Sequence, residues 1–164
     1  MERVNIQAER NNILQVGILD ENGNDSGEYF EFDVEDIELP LRLNRSSAMH
    51  QNNCKKLKAT LLIIDKKKDF TKKGQILSNN EKEKLKAFNQ FYADEEKALD
   101  LFLGEGTTKK YLKVCKRNPY YSMYEDINEK LEPILPKLKC NIDNLTDKIK
   151  NKYKTVESDV ITSD

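Results

Sequence analysis

Tryptophan is absent from the 164-residue chain, and histidine occurs once, at His50. One imidazole rules out, within one chain, a multi-histidine metal centre, and no catalytic triad is expected around it. His50 stands beside Gln51 and Asn52 on a polar stretch, which predicts a surface position. Cysteine is also scarce: Cys54, Cys115 and Cys140 are far apart and no pair has CxxC spacing. That pattern points to a reducing compartment and thiols without a framework role, and it leaves no Cys-plus-His zinc cluster. No window is apolar enough for a secretory leader or a bilayer span, so the cytosol is the expected location and a membrane is not an expected partner. No metal and no cofactor is expected, and no convergent set of reactive groups suggests an enzyme.

What is present is charge. Hydrophobic residues make up 37% and charged residues 35%, for a net charge of −1. The charges are segregated. Residues 1–50 carry 11 acidic and 4 basic side chains, whereas residues 51–90 carry 4 acidic and 11 basic. Opposite segments attract, within one molecule or between copies in a homo-oligomer. A basic middle segment, Lys55 to Lys73, is the only feature favouring nucleic acid, and the acidic segment cancels much of its field at a distance.

Pattern predicts an α+β, mostly α domain: an N-terminal β-hairpin packed on a bundle of about four to five helices. The domain is expected to cover residues 1–154, with a hairpin region at 1–40, a helical region at 46–154 and a frayed tail at 155–164. The apolar run Ile13–Leu19 and the alternation of Phe30, Phe32 and Val34 flank the turn-rich stretch Asp20 to Gly27. Glu31, Asp33 and Glu35 then fall on the solvent face. Pro40 is read as an extended connection, with Ser46 or Ser47 capping a first helix whose stripe is Cys54, Leu57, Leu61 and Ile64. Residues 65–80 read as a loop. Ser78, Asn79 or Asn80 caps a second helix with Leu85, Phe88, Phe91, Tyr92, Leu99 and Phe102 on its apolar face, ending at Gly104. A short helix from Thr107 or Thr108 follows. Asn118-Pro119 restarts a helix with the stripe Met123, Ile127, Leu131 and Ile134, which Pro133 and Pro136 bend or end. A last helix from about Asn141 to Tyr153 carries Ile142, Leu145, Ile149 and Tyr153.

Gly104-Glu105-Gly106-Thr107-Thr108-Lys109-Lys110 resembles a phosphate loop only superficially. One residue separates the glycines and the preceding segment is helical, so a helix stop, a tight turn and a threonine cap is the better reading. Phe102, Leu103, Gly104, Gly106, Tyr111 and Leu112 are also candidate partner-binding residues, because a rigid corner can present hydrophobic anchors. Core filling is at least as good a reading for Phe102 and Leu112.

The stretch Phe102 to Lys110 resembles the corner of small tail-assembly chaperones of long-tailed bacteriophages and prophages of Gram-positive bacteria. In that family a Phe-Gly-Glu-Gly-Thr-like turn precedes a short helix, an Arg-Asn step and an amphipathic helix. Here Arg117-Asn118 stands at the step and Pro119 to Leu135 supplies the helix. The layout agrees over residues 10–153, and the motif itself spans 102–118. The resemblance implies a chaperone without catalysis that associates with tape-measure and tail-tube proteins. The alternatives are a structural tail or connector subunit, built by strand addition, and a nucleic-acid-binding regulator.

Overall fold

The computed structural model describes residues 3, 13–115 and 123–161; for 138–141 and 155–161 it describes the backbone only. The expected Asn118-Pro119 restart and the Arg117-Asn118 step lie outside the described residues. The order is β1 (Ile13–Leu19), β2 (Asp25–Asp33), α1 (Leu39–Asp65), α2 (Asn79–Leu103), α3 (Thr107–Cys115), α4 (Met123–Leu131), a 3-10 turn (Glu132–Ile134) and α5 (Leu135–Ile161). This is the α+β, mostly helical architecture expected: an antiparallel hairpin, then helices.

The hairpin is tighter than the turn chemistry suggested. Asp20 organises the turn: its carboxylate accepts the Asn22 and Asn24 amides, and its own amide donates to the Asn24 carbonyl. β2 therefore starts at Asp25, ahead of the expected Tyr29. The ladder pairs Leu14 with Phe32 and Val16 with Phe30, then shifts register between Gly17 and Leu19. Gly27 takes up the irregularity with φ of 79°, a conformation most side chains avoid. Phe30, Phe32 and Ile18 face inward, while Tyr29, Glu31 and Asp33 stay exposed.

α1 begins at Leu39, not after Ser46, so the helical region starts earlier than 46. Pro40 is tolerated because it sits in the first turn, where its missing N–H is an orphan anyway and its φ already suits a helix. Asp36 holds the entry: it accepts the Glu38 amide and pairs with Arg42 at 2.6 Å. The expected cap, Ser46, is instead a fully buried residue inside the helix. Along α1, Cys54, Leu57 and Leu61 are half-buried and Ile64 is buried, so the predicted stripe faces α2.

The loop between α1 and α2 is heavily bonded. Asn80 Nδ2 donates to the Ile64 and Lys67 carbonyls, closing the end of α1. Asp69 accepts the Asn80 amide. Ser78, one of the three candidates, is the cap of α2, and Glu81 completes a capping box with it. On α2 the buried positions are Phe91, Glu95, Ala98, Leu99, Phe102 and Leu103; Leu85, expected on this face, is half exposed to solvent.

α1 and α2 thus form a long antiparallel pair. At its base, Leu39, Ala98, Leu99, Phe102 and Leu103 join Ile18, Phe30 and Phe32 of the hairpin, Tyr111 of α3, and Met123, Tyr124, Ile127 and Leu131 of α4 in one core. Phe32 packs on Phe102 with ring centroids 5.5 Å apart, and Phe30 on Tyr111 at 6.3 Å. Pro133 sits in the 3-10 turn that ends α4. α5 then starts at Leu135 and runs through Ile161, so a helix occupies most of the stretch expected to fray. Its stripe, Ile142, Leu145, Ile149 and Tyr153, is exposed, from 38% for Ile142 to 63% for Tyr153.

Candidate functional site

Three places combine chemistry with geometry: the glycine corner, a buried polar network, and the uncovered apolar faces. The corner comes first, because the candidate partner-binding residues lie there. α2 stops at Gly104, whose φ of 106° and ψ of 150° are outside the left-handed helical region and inside one almost reserved for glycine. A Cβ there would meet Thr107 Oγ1 at 3.3 Å. Thr107 Oγ1 donates to the Leu103 carbonyl and closes the end of α2. The start of α3 is capped across the corner by Asp100, not by a threonine of its own. Asp100 accepts the Gly106 amide at 3.0 Å, the Thr108 amide at 3.0 Å and the Thr108 hydroxyl at 2.7 Å. A carboxylate therefore already occupies the amides that a phosphate would need. The sequence held a signal for this: an acidic residue near the end of α2, with glycines four and six positions on and a threonine at eight.

Of the candidate anchors, Phe102, Leu103 and Tyr111 are buried in the core and Leu112 is half-buried against it. Gly104 is exposed and Gly106 half-buried. The structure brings these six positions together, but the large side chains face inward. The Tyr111 hydroxyl accepts from Lys130 Nζ at 2.8 Å. Burial pushes the Tyr111 phenol up, and its bond to Tyr111 raises Lys130. Both effects keep the phenol neutral and the ammonium charged.

The second place centres on His50, expected at the surface and found in the α1–α2–α4 junction. Its ring lies on the Tyr124 ring with centroids 4.1 Å apart and planes 5° from parallel. Nδ1 is 2.6 Å from Glu95 Oε2, and Glu95 is 1% exposed. Asn53 Nδ2 donates to the other Glu95 oxygen at 2.8 Å. A second relay runs alongside. Ser46 Oγ donates to the Ala98 carbonyl at 2.6 Å, so the Tyr124 hydroxyl, 2.8 Å away, donates to Ser46, and Asn128 bonds to Tyr124 in turn. Burial raises the Tyr124 phenol above its ordinary range. His50 escaped the sequence reading because its neighbours in sequence are polar, while its neighbours in space come from two other helices. Glu95 was more legible: it is a carboxylate on the stripe of Phe91, Leu99 and Phe102.

Cysteine, histidine and glutamate together suggest a nucleophile, but the geometry does not fit one. Cys54 Sγ lies 3.8 Å from Nδ1 and 3.7 Å from Nε2 of His50, equidistant from both nitrogens instead of in line with one. Nδ1 is committed to Glu95. Burial, then the nearby Glu95 and Glu125 carboxylates, pushes the Cys54 thiol up, away from the thiolate that does chemistry. The network holds three helices in register. No group of three or more potential metal ligands occurs among the described residues.

The third place is apolar surface. Besides the α5 stripe, a groove of about 420 Å³ between α1 and α2 is lined by Leu57, Ile63, Ile64, Ala87 and Phe91. No helix among the described residues is long and apolar enough to cross a membrane. No family model, curated protein or solved structure matches the chain.

Proposed function

We propose that this chain is a non-catalytic chaperone of the bacterial cytoplasm that binds tape-measure and tail-tube proteins while the tail of a phage or prophage is assembled. The observation that carries the reading is the α5 stripe. Ile142, Leu145, Ile149 and Tyr153 recur every three or four residues on a 27-residue helix and are all exposed. Such a face pairs with another amphipathic helix, and a tape measure is a long helical chain whose apolar stripes need covering before assembly. The resemblance of the 102–118 segment supplies the partner class.

Co-expression with a phage tape-measure protein tests this. The tape measure becomes soluble and co-purifies, and Leu145→Asp with Ile149→Asp abolishes both effects without unfolding the chaperone. Unchanged solubility with no co-purification removes the reading. A structural tail or connector subunit is the second reading, favoured by the two-stranded sheet: among the described residues each strand has one neighbour and so one open edge. Purified virions separate the two, since a subunit stays in the particle and a chaperone leaves. A nucleic-acid-binding regulator using Lys55 to Lys73 predicts steeply salt-dependent binding of DNA or RNA.

A further inference from the structure

The fold carries the segregated charges to opposite ends. From Ile13 to Leu41 the chain has nine carboxylates and no lysine or arginine, and this stretch forms the β-hairpin and the entry to α1 at the base. From Lys55 to Lys86 it has eleven lysines and four acids, and this stretch forms the free tip of the α1–α2 pair. The 27 residues of α1 hold the two ends about 40 Å apart, far beyond a Debye length of about 8–10 Å. The acidic base of one molecule cannot neutralise its own tip.

The tip's few acids are used internally. Asp65 pairs with Lys84 at 2.6 Å and Glu83 with Lys67 at 3.0 Å, while Asp69 and Glu81 accept backbone amides at the start of α2. Lys66, Lys68, Lys72 and Lys73 are exposed with no carboxylate within 4 Å among the described residues. Between them the bonded loop holds Phe70 54% exposed and Ile76 97% exposed. The base shows the reverse chemistry. Leu19, Tyr29, Ile37 and Leu41 are exposed among carboxylates. Arg42 holds Asp36, and Lys148 of α5 lines the same groove as Glu35 and Asp36. The acids facing outward on the hairpin itself, Glu21, Glu31 and Asp33, are the natural counterparts of the tip lysines.

We infer that the lysine-rich tip docks on the acidic β-hairpin of a second copy of this chain, in an antiparallel dimer that makes the contact twice. Both halves of the interface are present on one chain, each an apolar centre in a rim of one sign. The two-fold arrangement satisfies both ends at once, because closing one contact makes the other intramolecular. The inference needs no tail protein and stands apart from the chaperone reading.

Sedimentation of the full chain tests it. At about 50 mM salt the mass is twice the 19.1 kDa of one chain, and it falls to one chain at about 500 mM as screening shortens the reach of the charges. A tip variant (Lys66, Lys68, Lys72 and Lys73→Glu) and a hairpin variant (Glu21, Glu31 and Asp33→Lys) are each monomeric alone, with helical content unchanged by circular dichroism. Mixed in equal amounts they form a heterodimer, since each acidic tip then meets a basic hairpin and each basic tip an acidic one. A monomer at low salt and about 100 µM protein overturns the inference. So does a dimer indifferent to salt and to both variants, or a folded pair that fails to combine. Tip-dependent binding of anionic vesicles or DNA by a protein that stays monomeric overturns it as well.

Discussion

Removing the Glu95 carboxylate is the sharpest test of the buried junction. Glu95 is 1% exposed and His50 has 13% of its side chain exposed, so the pair is screened far less than a surface bridge. Glu95→Ala deletes the acceptor of two bonds, His50 Nδ1 at 2.6 Å and Asn53 Nδ2 at 2.8 Å, and opens a small void. Breaking one side of a buried pair costs about 3–5 kcal/mol, largely because the partner stays buried and unsatisfied. For a chain of this size that lowers the melting temperature by roughly 6–20 °C. Glu95→Gln keeps the shape and one acceptor, and the imidazole can change tautomer to accept from the new amide, so its cost is nearer 1–2 kcal/mol. Urea titrations at neutral pH, followed by circular dichroism, give both values. The double variant His50→Ala, Glu95→Ala completes a cycle, in which a coupling of about 1–3 kcal/mol is expected. An alanine cost below about 1 kcal/mol, or no coupling, would refute the claim that this network holds the helices in register.

Gly104→Val should cost about 1–3 kcal/mol, because the backbone there suits glycine alone and the new side chain meets Thr107; unchanged melting would show that the corner relaxes. Asp100→Ala removes the cap of α3 and should cost about 1–2 kcal/mol, with faster amide exchange at Gly106 and Thr108 as the specific signature. Asp36 supplies a pH dependence. Its bond to Arg42 holds the carboxyl below the ordinary carboxylate range. The folded state therefore binds fewer protons than the unfolded one. The stabilisation is complete above the ordinary value of about 3.9 and is lost as pH falls through the lowered one. It amounts to no more than about 1 kcal/mol for a partly exposed pair. Arg42→Gln should lie below the parent in stability at neutral pH and converge on it in acid; a constant gap would assign the effect to packing.

The sequence by itself determined the elements and several of their ends. Period-two alternation marked Phe30 and Phe32, and helical spacing marked Met123, Ile127 and Leu131, because both patterns are written in neighbouring residues. The start of the second helix was legible to within Ser78, Asn79 or Asn80 for the same reason, as was the stop at Gly104; the capping box of Ser78 and Glu81 came from the structure. Segregation of charge was also visible, as a composition. The tertiary structure alone decided what each pattern touches. Ser46 looked like a cap and is a buried donor to Ala98, because the helix starts at Leu39, about two turns earlier. His50 looked solvated and is stacked on Tyr124, a partner 74 positions away. Asp100, one acid among many in the sequence, is the cap of the next helix. The stripe of α5 was plain in sequence, but periodicity says which side chains share a face and not whether anything covers them. That the acidic and basic stretches cannot meet within one molecule follows only from the length and antiparallel pairing of α1 and α2.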